Sequence, residues 1–210
     1  VDNLDAIGEK LVSELAARDA ARERMLPLCR DAIRDCSQAI RAVHRQEFKA
    51  AGERLTAARR RLTEAETAVA DYGELTSTGI VRDAQKEYAE ANITLALVTG
   101  QPLPPPEVLG VAAAAYLNGL GEAAGEVRRY LLDMMRHGDL SRGEELLAAM
   151  DDIYSLLVTV DFPDAITGSL RRTTDMVRGV LERTRSDLTL AIQQKALEER
   201  LDNLHGDKGE

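Results

Sequence analysis

Apolar residues recur along this chain every three or four positions and almost nowhere every second one, which predicts helices and no strand of useful length. Leu4, Ile7, Leu11 and Leu15 open the first stripe, which continues through Ile33, Ile40 and Val43. Pro27 lies inside it; a proline removes one helical hydrogen bond and crowds the preceding turn, so a kink or break is expected there. A second helix is predicted from about 48 to 70 on Leu55, Ala58, Leu62 and Ala65, and a third from about 81 to 98 on Ala84, Tyr88, Ala91, Leu95 and Val98. The run Gly100-Gln-Pro-Leu-Pro-Pro-Pro106 then interrupts the pattern as a stiff connector. Beyond it a fourth helix turns Leu120, Ala123, Val127, Leu131 and Met134 inward and closes near His137-Gly138. Ser141 with Glu144 reads as a capping box that opens a fifth helix through Leu146, Leu147, Met150, Ile153 and Leu156, and Phe162-Pro163 ends the connection after it. A last helical region runs from about 165 to 204, bent at Gly168. The expectation is an all-α, single-domain antiparallel bundle of about six or seven helices spanning residues 1–210.

Composition agrees with the periodicity and narrows the core chemistry. Apolar residues make up 44% of the 210, yet only 3% are aromatic and tryptophan is absent, so the core is built from Leu, Ala, Val, Ile and Met. No signal peptide is visible, and the longest apolar run, 108–117, is about half of what a bilayer requires. A soluble, cytoplasmic chain without membrane partners is expected. Cys29 and Cys36 are seven apart in one predicted helix, which separates their Cα atoms by about 10 Å, too far for a disulfide. They are read as buried, reduced thiols.

Charge changes the picture more. The net charge of -9 argues against generic affinity for nucleic acid, but residues 18–61 hold twelve Lys or Arg against six Asp or Glu. That stretch is therefore +6 and the remainder -15. A basic first third on an acidic body offers phosphates one surface while the rest repels them.

The densest chemistry lies in Tyr116-Leu-Asn-Gly-Leu-Gly-Glu-Ala-Ala-Gly-Glu-Val-Arg-Arg129. At about 100° per residue, Glu122, Glu126 and Arg129 fall along one side of a helix, where two acids can hold a cation and the arginine a phosphate. Gly119, Gly121 and Gly125 interrupt the segment at a cost of roughly 1 kcal/mol each relative to alanine, so something is expected to approach this helix closely. On the preceding helix Glu87 and Glu90 flank the inward stripe, placed to reach a neighbour. The short connector makes the two acid-bearing helices neighbours, the condition for four glutamates to converge.

The segment 116–129 resembles the sequence around the catalytic acids of the translin/Trax family, on its Trax side, with Glu122, Glu126 and Arg129 on matching positions. Gln85-Lys-Glu-Tyr-Ala-Glu-Ala91 resembles the segment that supplies the other two acids, here Glu87 and Glu90. Ala17-Arg18, Arg24, Arg30-Asp31 and His44-Arg45 resemble basic positions that line the family's RNA surface. The resemblance extends from about residue 18 to about 204. It implies an endoribonuclease that hydrolyses single-stranded or short RNA inside a homo-oligomeric, closed, octamer-like shell, with single-stranded DNA as a second ligand. Glu87, Glu90, Glu122 and Glu126 would be the catalytic residues and hold one or two ions; Arg18, Arg24, Arg30, His44, Arg45 and Arg129 would contact RNA. All-oxygen ligands select a hard cation, Mg²⁺, with Mn²⁺ as a substitute.

Two other readings compete: a translin-like protein that binds RNA or single-stranded DNA without cutting it, and an all-α Mg²⁺-dependent nucleotide pyrophosphatase. Other chemistries find no support. No P-loop occurs, the glycines of 119–125 have the wrong spacing for a dinucleotide loop, and no Glu-x-x-His marks a di-iron bundle. Arg171, Arg172, Arg178, Arg183 and Arg185 alternate with acids and read as surface pairs, with RNA contact as the lesser alternative.

Overall fold

The structure, a computed structural model, describes residues 3–76 and 78–206, with no account of the side chains of residues 204–206. The described residues form nine helices and no strand: α1 (Leu4–His44), α2 (Phe48–Ala68), α3 (Gly73–Thr76), α4 (Gly79–Thr99), α5 (Pro106–Leu109), α6 (Ala113–Arg136), α7 (Gly143–Val158), α8 (Asp164–Thr167) and α9 (Leu170–Gly206). Six are long, and α3, α5 and α8 are single turns. None is long and apolar enough to cross a membrane.

The long helices pack as an antiparallel bundle. α1 lies against α2 and α4, α4 against α6, and α6 against α7 and α9. The predicted stripes supply the core: Leu55, Ala58, Leu62 and Ala65 of α2, Ala84 and Ala91 of α4, and Leu120, Ala123, Val127 and Leu131 of α6 are buried. Many of these are alanines, which lets the helix axes approach closely. Cys29 and Cys36 are free, buried thiols, and burial pushes both pKa values up, that of Cys29 to about 11.

Three expectations need correction. α1 runs unbroken through Pro27. The proline sits on the exposed side, so the carbonyl of Glu23 that it leaves unpaired can turn to water, while buried Met25 and Cys29 anchor the helix on either side. The capping box at Ser141 and Glu144 is not formed: α7 starts at Gly143 after Arg142, and the amide of Ser141 donates to Asp139 Oδ1 at 2.9 Å. Packing sets that start instead. A Cβ on Gly143 would stand 2.7 Å from Leu188 Cδ1 of α9. Finally, Gly168 (φ 63°) does not bend a helix but separates α8 from α9.

The opening of the first stripe is helical as predicted but packs on no core among the described residues. Leu4, Ile7, Leu11, Val12 and Leu15 are all 45% exposed or more, because α1 begins packing only near Ala21. At the other end α9 also outruns the body, with Leu197 exposed.

The connector fixes the relation of α4 to α6. Arg142 donates to the carbonyls of Val98 and Leu97, satisfying the C-terminal end of α4. Arg59 Nη1 donates to the Leu109 carbonyl at 2.8 Å, and Gln85 of α4 accepts from the Ala112 amide just before α6. Arg128 ties the far side of α6 to α9 through Thr184 Oγ1 at 3.0 Å and Asp187 Oδ2 at 2.7 Å.

Candidate metal centre

The site begins with a glycine. A Cβ on Gly119 of α6 would come within 2.7 Å of the Lys86 carbonyl oxygen and 2.9 Å of the Glu90 amide nitrogen, so only glycine admits α4 this close. Gly121 is similarly crowded by Thr173 and Leu157, whereas Gly125 faces open space. The close approach expected at this helix is therefore made at two of its three glycines.

Across that contact α4 presents Glu87 and Glu90, and α6 presents Glu122 and Glu126. One carboxylate oxygen from each of Glu87, Glu90 and Glu122 lies within 4.8 Å of the others. Glu90 is buried to 8% exposure, and among the described residues no side chain bonds it. Burial, and after it the charges of Glu87, Glu122 and Glu126, push its pKa up to about 9. Burial raises Glu87 as well, against the pull of Lys86 and with the push of Glu122.

Glu126 stands apart from this trio. Its Oε2 lies 2.5 Å from Nε2 of His44, whose side chain is only 6% exposed, and that hydrogen bond holds the Glu126 carboxyl below its ordinary range despite partial burial. With the proton on Nε2, His44 donates, and its buried Nδ1 finds no partner among the described residues. The last residue of α1 thus reaches a carboxylate 82 positions further along the chain.

Lys86 is the residue the sequence reading passed over. Its Nζ donates to Glu122 Oε1 at 2.7 Å and lies 3.9 Å from Glu87. Burial works against its charge, but Glu122, Glu87 and Glu90 outweigh it and raise the pKa. The lysine sits inside the quoted 85–91 motif, next to Glu87, so its position was in plain view. What could not be read was that it turns toward the acids.

The basic residues assigned to RNA scatter. Arg129 is exposed and 3.9 Å from Glu126, on the side of the helix predicted for it. Arg45 is held by both oxygens of Glu47, and Arg18 by Glu14 and Glu74. Arg24 and Arg30 are exposed. At 1.5 Å of rise per residue they stand about 30 Å and 20 Å along α1 from His44, so they cannot touch the phosphate that Arg129 would hold.

The acid trio fits a cation on its own chemistry. Three carboxylates crowd together, one of them buried with no side-chain donor among the described residues, and Lys86 supplies a positive charge beside them. Oxygen-only ligands of this kind suit a hard divalent ion. The molecule is an all-α bundle in which two neighbouring helices bring together three glutamates that could hold a metal ion.

Comparison with models of known protein families gives no match. An uncharacterized protein of Methanocaldococcus jannaschii is 30% identical over 196 residues, covering 91% of this chain and 85% of that one. Two solved structures of AfC3PO, one in complex with duplex RNA, are each 32% identical with a TM-score of 0.82, covering 90% of this chain and 97% or 98% of theirs. Apo-NeC3PO has the same fold at 19% identity, with a TM-score of 0.73 over 91% of this chain and 98% of that one. The chain belongs to the translin/Trax family.

Proposed function

We propose that this protein is a metal-dependent endoribonuclease that hydrolyses phosphodiester bonds of single-stranded or short RNA. The observation that carries the reading is Glu90, a buried carboxyl held beside Glu87 and Glu122, whose ionisation is costly unless a cation joins it. Glu87, Glu90 and Glu122 would hold the ion, Mg²⁺ or in its place Mn²⁺. A bound divalent cation supplies Lewis-acid stabilisation of the scissile phosphate and activates water for the attack.

The chain's own residues do the rest. Glu126, kept ionised by His44, is suited to accept a proton from an attacking water near the cluster. Arg129 is free to approach a non-bridging phosphate oxygen as a planar donor. Lys86, bonded to Glu122, offsets part of the negative charge that would otherwise repel the RNA backbone. The duplex RNA bound to AfC3PO supports RNA as the partner class. The uncovered apolar stripe on the first turns of α1 supports assembly into a homo-oligomer, read here as a closed, octamer-like shell that would set basic α1 surfaces around the acid clusters.

The test is incubation of labelled single-stranded RNA with the pure protein in Mg²⁺ or in EDTA, beside the Glu126→Ala variant. Cutting that requires Mg²⁺ and is lost in the variant is the expected result. Binding without cutting would favour the translin-like alternative, and turnover of nucleoside triphosphates with intact RNA would favour the pyrophosphatase.

A further inference from the structure

Beside the acid cluster lies a cavity of about 560 Å³ that the chemistry above leaves unused. It is bounded by the first turns of α4, of α6 and of α9, and both Lys86 and Glu122 line it, so it opens directly onto the cluster. The volume is that of a small-ligand pocket and accommodates one nucleotide.

Its charge is what distinguishes it. Arg82 enters from α4 and Arg172 from α9, and neither is ion-paired among the described residues. Arg171, Arg178 and Arg185 of the same helix α9 are instead paired with Asp161, Asp175 and Asp151. Within the cavity Lys86 and Glu122 neutralise each other at 2.7 Å. Two guanidinium groups then face the single carboxylate of Asp83, which leaves one positive charge, the complement of one phosphodiester.

The wall carrying Arg172 is held in a conformation that a plain helix start would not need. Gly168 and Ser169 are both left-handed, with φ of 63° and 67°, and for serine that conformation is strained. Buried Asn118 of α6 holds the turn by donating to the Thr167 carbonyl at 2.8 Å and accepting from Thr173 Oγ1 at 2.7 Å. The result sets the first residues of the long helix α9 along the same cavity as the arginines.

We propose that this cavity is a phosphate subsite, in which Arg82 and Arg172 hold a nucleotide adjoining the bond that is cut at the acid cluster. The proposal rests on the endoribonuclease reading for the identity of the strand, and on the cavity alone for the phosphate chemistry. Two sources could supply that phosphate, an internal diester of the strand or its terminal monoester.

The experiment measures binding rather than cleavage. Affinity for a short single-stranded RNA is followed by fluorescence anisotropy in EDTA over a range of salt, for the wild type, Arg82→Ala, Arg172→Ala and the double variant. Each single change is expected to lower the slope of log affinity against log salt by about one, and the double change by about two. Affinity at low salt should fall by about tenfold or more in the double variant. Arg172→Lys keeps the charge and should retain most of the slope, which separates loss of a phosphate contact from a disturbed fold. Equal losses for 5′-hydroxyl and 5′-phosphorylated strands identify an internal diester, and a loss confined to the phosphorylated strand identifies the terminus. A double variant with the wild-type slope and affinity overturns the subsite, even where Mg²⁺-dependent cutting persists. Absence of cutting by the wild type overturns the nuclease reading instead, and leaves the binding result to judge the cavity.

Discussion

Replacing Glu90 with glutamine isolates the cost of placing an ionisable group at the heart of the acid cluster. The carboxyl titrates near 9 in the folded chain against an ordinary value of 4.5. Between those limits the folded protein keeps a proton that the unfolded chain has released, so metal-free stability falls as pH rises from about 4.5 to about 9. At 1.36 kcal/mol per pH unit the loss at pH 8 is at most about 5 kcal/mol, and water entry and adjustment of Lys86 reduce it to about 2 to 5 kcal/mol. Glutamine has the same shape and nothing to ionise. In EDTA, Glu90→Gln should therefore melt about 5 to 15 °C above the wild type at pH 8, with the difference shrinking toward pH 5. Thermal melts followed by circular dichroism at half-unit pH steps read this directly, because the other titrating groups are common to both proteins and cancel. Mg²⁺ should reverse the order, raising the melting temperature of the wild type more at pH 8 than at pH 6, since the ion takes the place of the proton. Melting curves that run parallel from pH 6 to 9 would refute the reasoning.

Gly119→Ala should separate α4 from α6 and cost about 1 to 3 kcal/mol in denaturant unfolding, because the new methyl meets backbone at 2.7 Å. Gly125→Ala, with nothing within 4 Å, should instead stabilise by about 0.5 to 1 kcal/mol through helix propensity; equal effects at the two glycines would contradict the packing described here. His44→Ala removes the hydrogen bond that depresses Glu126, so the acid limb of the cleavage profile should move to higher pH, and an unmoved limb would separate Glu126 from the chemistry. Lys86→Met takes a competing cation from the cluster and should tighten Mg²⁺ binding in calorimetry; weaker binding would mean that Lys86 organises the ligands rather than competing for them.

Much of this site was legible in the sequence because it depends on helical spacing. The i, i+3 and i, i+4 placement of the acids, the glycines that admit a neighbour and the short proline-rich connector between the two helices follow from local geometry. What could not be read depended on contacts made far along the chain. His44 looked like one more basic residue of the first third, and only the packing of α1 against the bundle brings it to Glu126. Lys86 had no role in the sequence reading, because only α6 standing opposite turns it toward the acids. Arg172 belonged by pattern to a row of surface pairs, and the left-handed turn before α9 is what directs it to the cavity. Pro27 was read by its chemistry alone, whereas its effect depended on which side of α1 faces water.

The first turns of α1 have no core to hold them. An isolated helix of about 12 to 15 residues is marginal in water, since nucleation is costly and each further residue gains little. The segment from Leu4 to about Ala20 therefore has a folding equilibrium of its own, separate from the bundle that begins at Ala21. Its helicity should vary with protein concentration if another copy covers Leu4, Ile7, Leu11 and Leu15, and amide exchange there should slow as the protein is concentrated while exchange in α4 and α6 stays constant. The helix that ends at the candidate catalytic acids thus begins as a concentration gauge.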